Sequence, residues 1–482
     1  MSQDKHKYTT EINFRKTILS FFLVYVILIV GFYFLAGDQL RFRDSRGNTE
    51  MPVADAGTVE LSQGAFVEQT VVLKVQRLES VSVQFGGYYR ENHGTVTMEL
   101  WRGEDLLMQQ TYDAAEVQEG TILTMTSEEP LEPVYGAPLT LRIFADSQPG
   151  EAVAPLMNTS FQEEGYSLTL NGEPAAGVIC FSAAGTDYIW TGLHYWKFAA
   201  ALGLLLVLLF FAVWYRYKKG KRSYIISAML AVKKYKFLIR QLVSRDFKLK
   251  YKRSILGVFW SFLNPLLTMI VQYFVFSTIF RNDVSNFPAY LIIGTVMFNF
   301  FSEACGMTLM SILGNAGLIT KVYMPKYIYP LTRTLSSLIN LAISVIPMVI
   351  VCLVTGVHFQ KSAVLALYFF VCLFIFSLGM GMLLCTSMVF FRDTQFLWNV
   401  LSMMWMYATP IFYPETILPD NLKFVLQINP LYYFLKNARM CLLYGLSPEP
   451  IIYFQCMGIA LAMLVTGAIV FYKNQNRFVL YL

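Results

Sequence analysis

Residues 240–265 read RQLVSRDFKLKYKRSILGVFWSFLNP, and the change of character inside this stretch decides how the chain is laid out. Leu238, Leu242, Val243 and Phe247 fall at helical spacing, with Arg240, Arg245, Lys248, Lys250, Lys252 and Arg253 crowding the intervals. The charges stop at Ser254, and none occurs from Val258 to Phe280. A cationic amphipathic helix lies in a membrane interface, its basic face toward anionic headgroups. The uncharged run behind it is long enough to cross the bilayer. An in-plane helix turning into a span is a mechanical junction, because a push on the first moves the second. The same pattern also describes a plain basic anchor beside a span.

Outward from this stretch, 55% of the 482 residues are hydrophobic and only 15% are charged, which excludes an ordinary soluble protein. The net charge of +6 conceals an asymmetry. Residues 38–194 hold 23 acids and 8 bases, a net of −15, whereas the remainder holds 9 acids and 30 bases, a net of +21. The positive-inside bias places the acidic block outside and the basic segments in the cytoplasm. Those bases flank membrane spans, so lipid and a cytosolic protein are the expected partners, and nucleic acid is not. Of the seven cysteines only Cys180 belongs to the acidic block, which leaves that block no internal disulfide.

Residues 1–37 are expected to form a cytoplasmic N-terminus and a first span, with Ile18–Ala36 apolar throughout. A basic start and an apolar core also fit a signal peptide, but this core is long and runs on through Phe32, Tyr33 and Phe34. Residues 38–194 alternate in TVVLKVQ (70–76), VSVQF (81–85), VTMELW (96–101), LTLRIF (139–144) and YSLTL (166–170). Short strands at this spacing predict an extracytoplasmic all-β sandwich or jelly roll. The stretch 81–101 reads as a hairpin followed by another strand. Tyr88, Tyr89 and Trp101 are candidates for stacking on sugar rings, or else strand-pair packing.

Residues 195–223 give a second span and a basic turn, and 224–257 the interfacial helix. Residues 258–482 then divide into six further spans, eight in all, both termini cytoplasmic. Residues 413–450 are semi-apolar but broken by Pro414, Pro419, Pro430, Pro448 and Pro450, and read as re-entrant helices at the outer face. Glu303 is an acid deep in a predicted span, costly unless paired or wet. Tyr273, Phe298, Phe301, Trp405, Tyr407, Phe412 and Tyr413 are candidate linings of a sugar path, or ordinary lipid-facing aromatics. No G-x-x-x-x-G-K-[ST] motif occurs, so any ATP hydrolysis is the work of another polypeptide.

Several motifs carry a resemblance. Arg245-Asp246, Tyr251, Arg253-Ser254 with Gly257, and Asn264-Pro265 resemble the first segment of type 2 ABC exporter permeases, in the branch exporting polysaccharides and polyol phosphates. Lys321, Val322, Tyr323 and Pro325 resemble the K-V-x-x-P loop by which that family couples to its ATPase. Val389 to Asp393 resembles its V-x-x-R-D turn, where an Arg392–Asp393 pair is expected to neutralise two charges near lipid. Thr409-Pro410-Ile411-Phe412-Tyr413 resembles its T-P-I-F-Y segment, and Asn429-Pro430 the N-P that follows. Met324 stands where Phe is more usual, and the first 200 residues have no counterpart. The resemblance implies a permease of the bacterial cytoplasmic membrane, working as a homodimer with two ATPase subunits that bind ATP–Mg. Its implied cargo is a polymer carried on a polyprenyl-diphosphate lipid. Two other readings stand beside it: a membrane enzyme modifying lipid-linked glycans, and a sensor or scaffold with a glycan-binding β-domain.

Overall fold

The computed structural model describes residues 14–219, 224–251, 257–280, 286–321 and 324–482. It divides into two compact units, residues 41–193 and the rest of the chain.

The first unit is a β-sandwich of thirteen strands, β1 (Phe42–Asp44) to β13 (Phe181–Tyr188) in chain order. Between these ends lie β2 (Ala56–Gly57), β3 (Phe66–Val72), β4 (Arg77–Gly86), β5 (Thr95–Arg102), β6 (Asp105–Asp113), β7 (Thr121–Leu131), β8 (Pro138–Ala145), β9 (Ala154–Asn158), β10 (Ser167–Leu170), β11 (Glu173–Ala175) and β12 (Val178–Ile179). One sheet runs β1-β13-β4-β9-β12, with β7 paired to β4 and β2 to β9; the other runs β11-β10-β3-β8-β5-β6. Every pairing between these strands is antiparallel. Alternation does the sorting, since successive side chains point to opposite faces. On β4 (Arg77–Gly86) Val81, Val83 and Phe85 are buried, and on β8 (Pro138–Ala145) so are Leu139, Leu141 and Ile143. They meet Val96, Met98 and Leu100 of β5 (Thr95–Arg102) in one core.

The expected hairpin at 81–101 is not formed. β4 pairs with β13, β7 and β9, whereas β5 pairs with β6 and β8 in the opposite sheet. The chain crosses between the sheets through Tyr88 and Tyr89, both at positive φ, and the buried Asn92, whose amide donates to Gly87 O.

The second unit is helical. Its long helices are α1 (Phe14–Ala36), α2 (Tyr195–Lys218), α3 (Tyr224–Tyr251), α4 (Phe259–Phe280), α5 (Phe287–Leu309), α7 (Ile328–Val354), α8 (Ala366–Phe390) and α12 (Pro450–Asn474). Between them lie the shorter α6 (Ala316–Lys321), α9 (Thr394–Ala408), α10 (Lys423–Ile428) and α11 (Pro430–Leu443). Among the described residues seven helices are long and apolar enough to cross a membrane, and α3 is not one of them.

The eighth expected span, 396–412, is the fifteen-residue α9 continued by extended chain. At 1.5 Å per residue it reaches about 22 Å, short of a hydrocarbon core of about 30 Å. Its end has a local cause. Pro410 disfavours helical geometry at the preceding residue, and Thr409 is extended at φ −104°, ψ 132°.

α5 is the hub of the bundle, buried along most of its length against α4, α7, α8 and α11. α1 and α2 pair with each other. Tyr25 donates to Ala199 O, Tyr195 donates to Ile29 O at 2.8 Å, and Phe21 meets Phe210 at 4.7 Å. The pair docks on the beginning of α12, with Phe32 edge-on to Tyr453 at 4.9 Å and Gln39 accepting from Ser447 N.

Candidate functional site

Helix α3 meets the bundle along an apolar edge. Leu238, Ile239 and Leu242 pack with Ile312, Ile319, Met324, Ile328 and Tyr329, the last of the bundle before and after α6. At the next turn lies Asp246, whose side chain is 1% exposed. Arg245 Nη2 stands 3.0 Å from Asp246 Oδ1 and also donates to Asn315 Oδ1 at 3.1 Å. From α7, Arg333 Nη1 lies 3.3 Å from Oδ2, an ion-pair contact without hydrogen-bond alignment. Asn315 is fixed in turn by donating to Ser311 O at 2.8 Å. One buried carboxylate therefore joins the interfacial helix, the loop into α6 and the start of α7. Removing one member of such a buried ionic cluster strands the others, at a cost of about 3–5 kcal/mol.

One turn further on, Lys250 Nζ pairs with Glu303 Oε1 of α5 at 2.7 Å, and Asn340 Nδ2 of α7 donates to the same oxygen. Glu303 is thus a paired acid, 28% exposed, rather than an isolated charge in the span. Gly257, at φ 49°, supplies the left-handed turn between α3 and α4 that a side chain would strain. Lys321 ends α6 and is exposed, and Pro325 is half-buried. Lys326 donates to Gln475 O at 2.6 Å, tying this loop to the C-terminal segment. Val322, Tyr323, Arg253 and Ser254 lie outside the described residues, as does the side chain of Tyr251. Sequence reasoning found Arg245 and Asp246 but missed Arg333 and Asn315. A lone arginine five residues into an otherwise apolar span was the available signal.

The expected Arg392–Asp393 pair is absent. Both side chains are exposed, and the turn is closed instead by Thr394, which donates to Phe391 O at 2.6 Å and contacts Ser387 Oγ. A span end in contact with water leaves two solvated charges little to gain from pairing.

At the other end of the bundle two proline motifs meet. Asn429 caps α11 and donates to Thr409 Oγ1 at 2.8 Å, while accepting from Trp405 Nε1 at 2.8 Å. Arg439 of α11, 4% exposed, donates to Pro410 O at 2.6 Å, Ile411 O at 2.9 Å and Tyr290 O at 2.8 Å. Its guanidinium also stands 3.4 Å from the centre of the Tyr290 ring. Tyr290 donates to Tyr413 O at 2.9 Å. The irregular 409–413 backbone, which lipid alone would leave unsatisfied, is saturated by these groups.

The aromatic candidates do not form one lining. Phe301 is fully buried among Phe376, Trp398 and Trp405, and Phe298 and Phe412 are also core residues. Tyr273 and Tyr413 are half-buried, and Tyr407 is 60% exposed. In the β-sandwich Tyr89 is 91% exposed and Tyr88 sits beneath Arg90. Trp101, half-buried near the end of β5, donates to Glu99 Oε2 at 2.9 Å.

Residues 238–443 match the ABC-2 type transporter family. Over 199 residues the chain is 30% identical to the O-antigen export system permease protein RfbA of Myxococcus xanthus, covering 41% of this chain and 76% of that protein. The chain belongs to the ABC-2 type transporter family. It is also 28% identical over 243 residues to a Klebsiella pneumoniae protein of the same description, covering 50% of this chain and 93% of that one. As an ABC-2 permease it is a transporter subunit rather than an enzyme, and ATP hydrolysis belongs to a separate subunit. The reading of the chain as a glycan-modifying enzyme therefore falls away. The family match begins at residue 238, which leaves the β-sandwich outside it.

Proposed function

We propose that this permease exports a surface polysaccharide carried on a polyprenyl-diphosphate lipid across the bacterial cytoplasmic membrane. The names of its Myxococcus and Klebsiella relatives supply the cargo class. Two copies pair, each with one ATPase subunit that binds ATP–Mg. The basic end of the bundle faces the cytoplasm and the acidic β-sandwich lies outside, a placement supported by the +21 and −15 charge blocks. Supporting the pairing, α9 is too short to span and leaves Phe396, Leu397, Val400, Leu401 and Met404 uncovered within one copy. A second copy covers such a face as lipid does, and it also encloses the path.

The observation that carries the reading is the Asp246 cluster. ATPase closure pushes on the segment from α6 to Pro325. Asn315 and Arg333 transmit that displacement through Asp246 to α3, and Lys250 carries it on to Glu303. The two α5–α7 units then part to admit the glycan.

The test is purification from native membranes with co-purifying ATPase assayed for turnover, beside Lys321→Glu and Asp246→Asn. Lys321→Glu is expected to release the ATPase or lower its activity. Asp246→Asn is expected to retain the ATPase while export falls. A protein that purifies intact without any ATPase, from cells whose surface glycan survives its deletion, would sink the reading.

A further inference from the structure

The β-sandwich carries a cleft of about 340 Å³ that no family motif touches. This is at the small end of the 300–1,000 Å³ or so typical of ligand sites, and suits a mono- or disaccharide. Residues of loop 46–52 line it together with Phe161, Glu163, Tyr166 and Phe181. The walls are fixed before any ligand arrives. Asn48, held at φ 56°, donates from Nδ2 to Tyr166 Oη at 2.7 Å and accepts from Lys74 N at 2.7 Å. Gly47 presses so closely on Lys74 that a Cβ there would lie 2.4 Å from its carbonyl oxygen. Opposite, Asn158 Oδ1 accepts from Ser160 N at 3.0 Å and Phe161 N at 2.8 Å, while Thr159 N donates to Asp55 Oδ1 at 2.9 Å. These bonds present the Phe161 ring 37% exposed at the mouth of the cleft. A phenylalanine held at a surface by its own loop is a prepared platform.

The chemistry around that ring selects the ligand class. Arg46 and Glu50 are exposed and have no ion-pair partner among the described residues, whereas Lys74 is engaged by Glu163. Tyr166 accepts from Asn48, and burial pushes its hydroxyl up to about 12, so at neutral pH its proton remains to be donated. A fatty chain would desolvate these charges without compensation. A simple anion would meet Glu50 and Glu163 as well as Arg46. A pyranose answers both halves, with an apolar face for the ring and in-plane hydroxyls for the carboxylate, guanidinium and phenol.

We propose that this cleft binds a saccharide unit of a polymer, stacked on Phe161 and hydrogen-bonded by Arg46, Glu50 and Tyr166. That the saccharide is cargo rests on the export reading; the cleft's affinity for sugar does not.

The experiment uses the full chain in lipid nanodiscs. Oligosaccharides released by mild acid from the producing strain's surface polysaccharide are titrated by calorimetry and saturation-transfer NMR. Wild type is expected to bind them, with inorganic phosphate unable to compete. Phe161→Ala should weaken binding about tenfold or more, Phe161→Trp should retain it, and Tyr89→Ala should bind as wild type. The proposal is overturned if Phe161→Ala binds normally, or if phosphate displaces the sugar. It is likewise overturned if the oligosaccharides fail to bind a protein that still assembles with its ATPase, an outcome that leaves the export reading standing.

Discussion

Arg439 shows how much one side chain organises. Among the described residues no carboxylate contacts it; its hydrogen bonds go to the carbonyls of Pro410 and Ile411, in a proline-interrupted segment, and of Tyr290 in α5. Arg439→Met is expected to cost several kcal/mol, since each orphaned buried carbonyl costs roughly 1–3 kcal/mol. Arg439→Lys should fall between, because a compact ammonium does not span the geometry of a planar fork. Fluorescence-detected melting in detergent reads both, and an Arg439→Met protein melting with wild type would refute the role. In the sequence this arginine is one letter in LYYFLKNARMCLL, without periodicity or spacing to mark it. Thr409-Pro410 and Asn429-Pro430 were legible as motifs, but only the fold puts Asn429 against Thr409 and Arg439 against Pro410 and Ile411. Asp246 was likewise legible, whereas Arg333 was hidden because its partner lies on a different helix.

Among elements, α8 and α12 approach until backbone meets backbone. A Cβ on Gly379 would lie 2.5 Å from Leu464 N, and one on Gly467 would lie 2.1 Å from Gly379 O. Small residues let membrane helices approach this closely, and packing there replaces the hydrophobic drive that lipid removes. Gly467→Ala is therefore expected to force α12 away from α8, lowering the melting temperature. Gly458→Ala on the same helix, where nothing lies within 4 Å, should be silent. Equal melting of the two variants would refute the packing argument. The long spans were readable because about twenty apolar residues in a row admit few other fates. The length of α9 was not, because its apolar run continues past the residue where Pro410 ends the helix. The strands were legible from alternation, but their sheet membership was not, since alternation says which side faces in and not which neighbour lies beside it.

For the whole molecule, the inserted sandwich has its own core of buried residues from both sheets, and α1 and α2 are held together by their own contacts. Replacing residues 41–193 with a Gly/Ser linker should therefore leave a monodisperse permease that still binds its ATPase. Size-exclusion chromatography and co-purification check this, and aggregation of the shortened chain would show the sandwich to be needed for the bundle. The boundary was visible in advance as a swing in charge from +21 to −15, while the cleft was not, because its walls come from segments more than a hundred residues apart.

The docking of Gln39 on Ser447, with Phe32 against Tyr453, joins the end of α1 to the start of α12, across 408 positions of chain. At about 5–20 residues per second, a ribosome needs roughly 20–80 s to pass from one to the other. Throughout that interval the α1–α2 pair waits with the Phe32 face that meets Tyr453 unclaimed. The seam is thus closed by a contact that forms late in synthesis. A chain cut short anywhere before residue 447 carries an open seam at its beginning, accessible to membrane proteases that survey unfinished products.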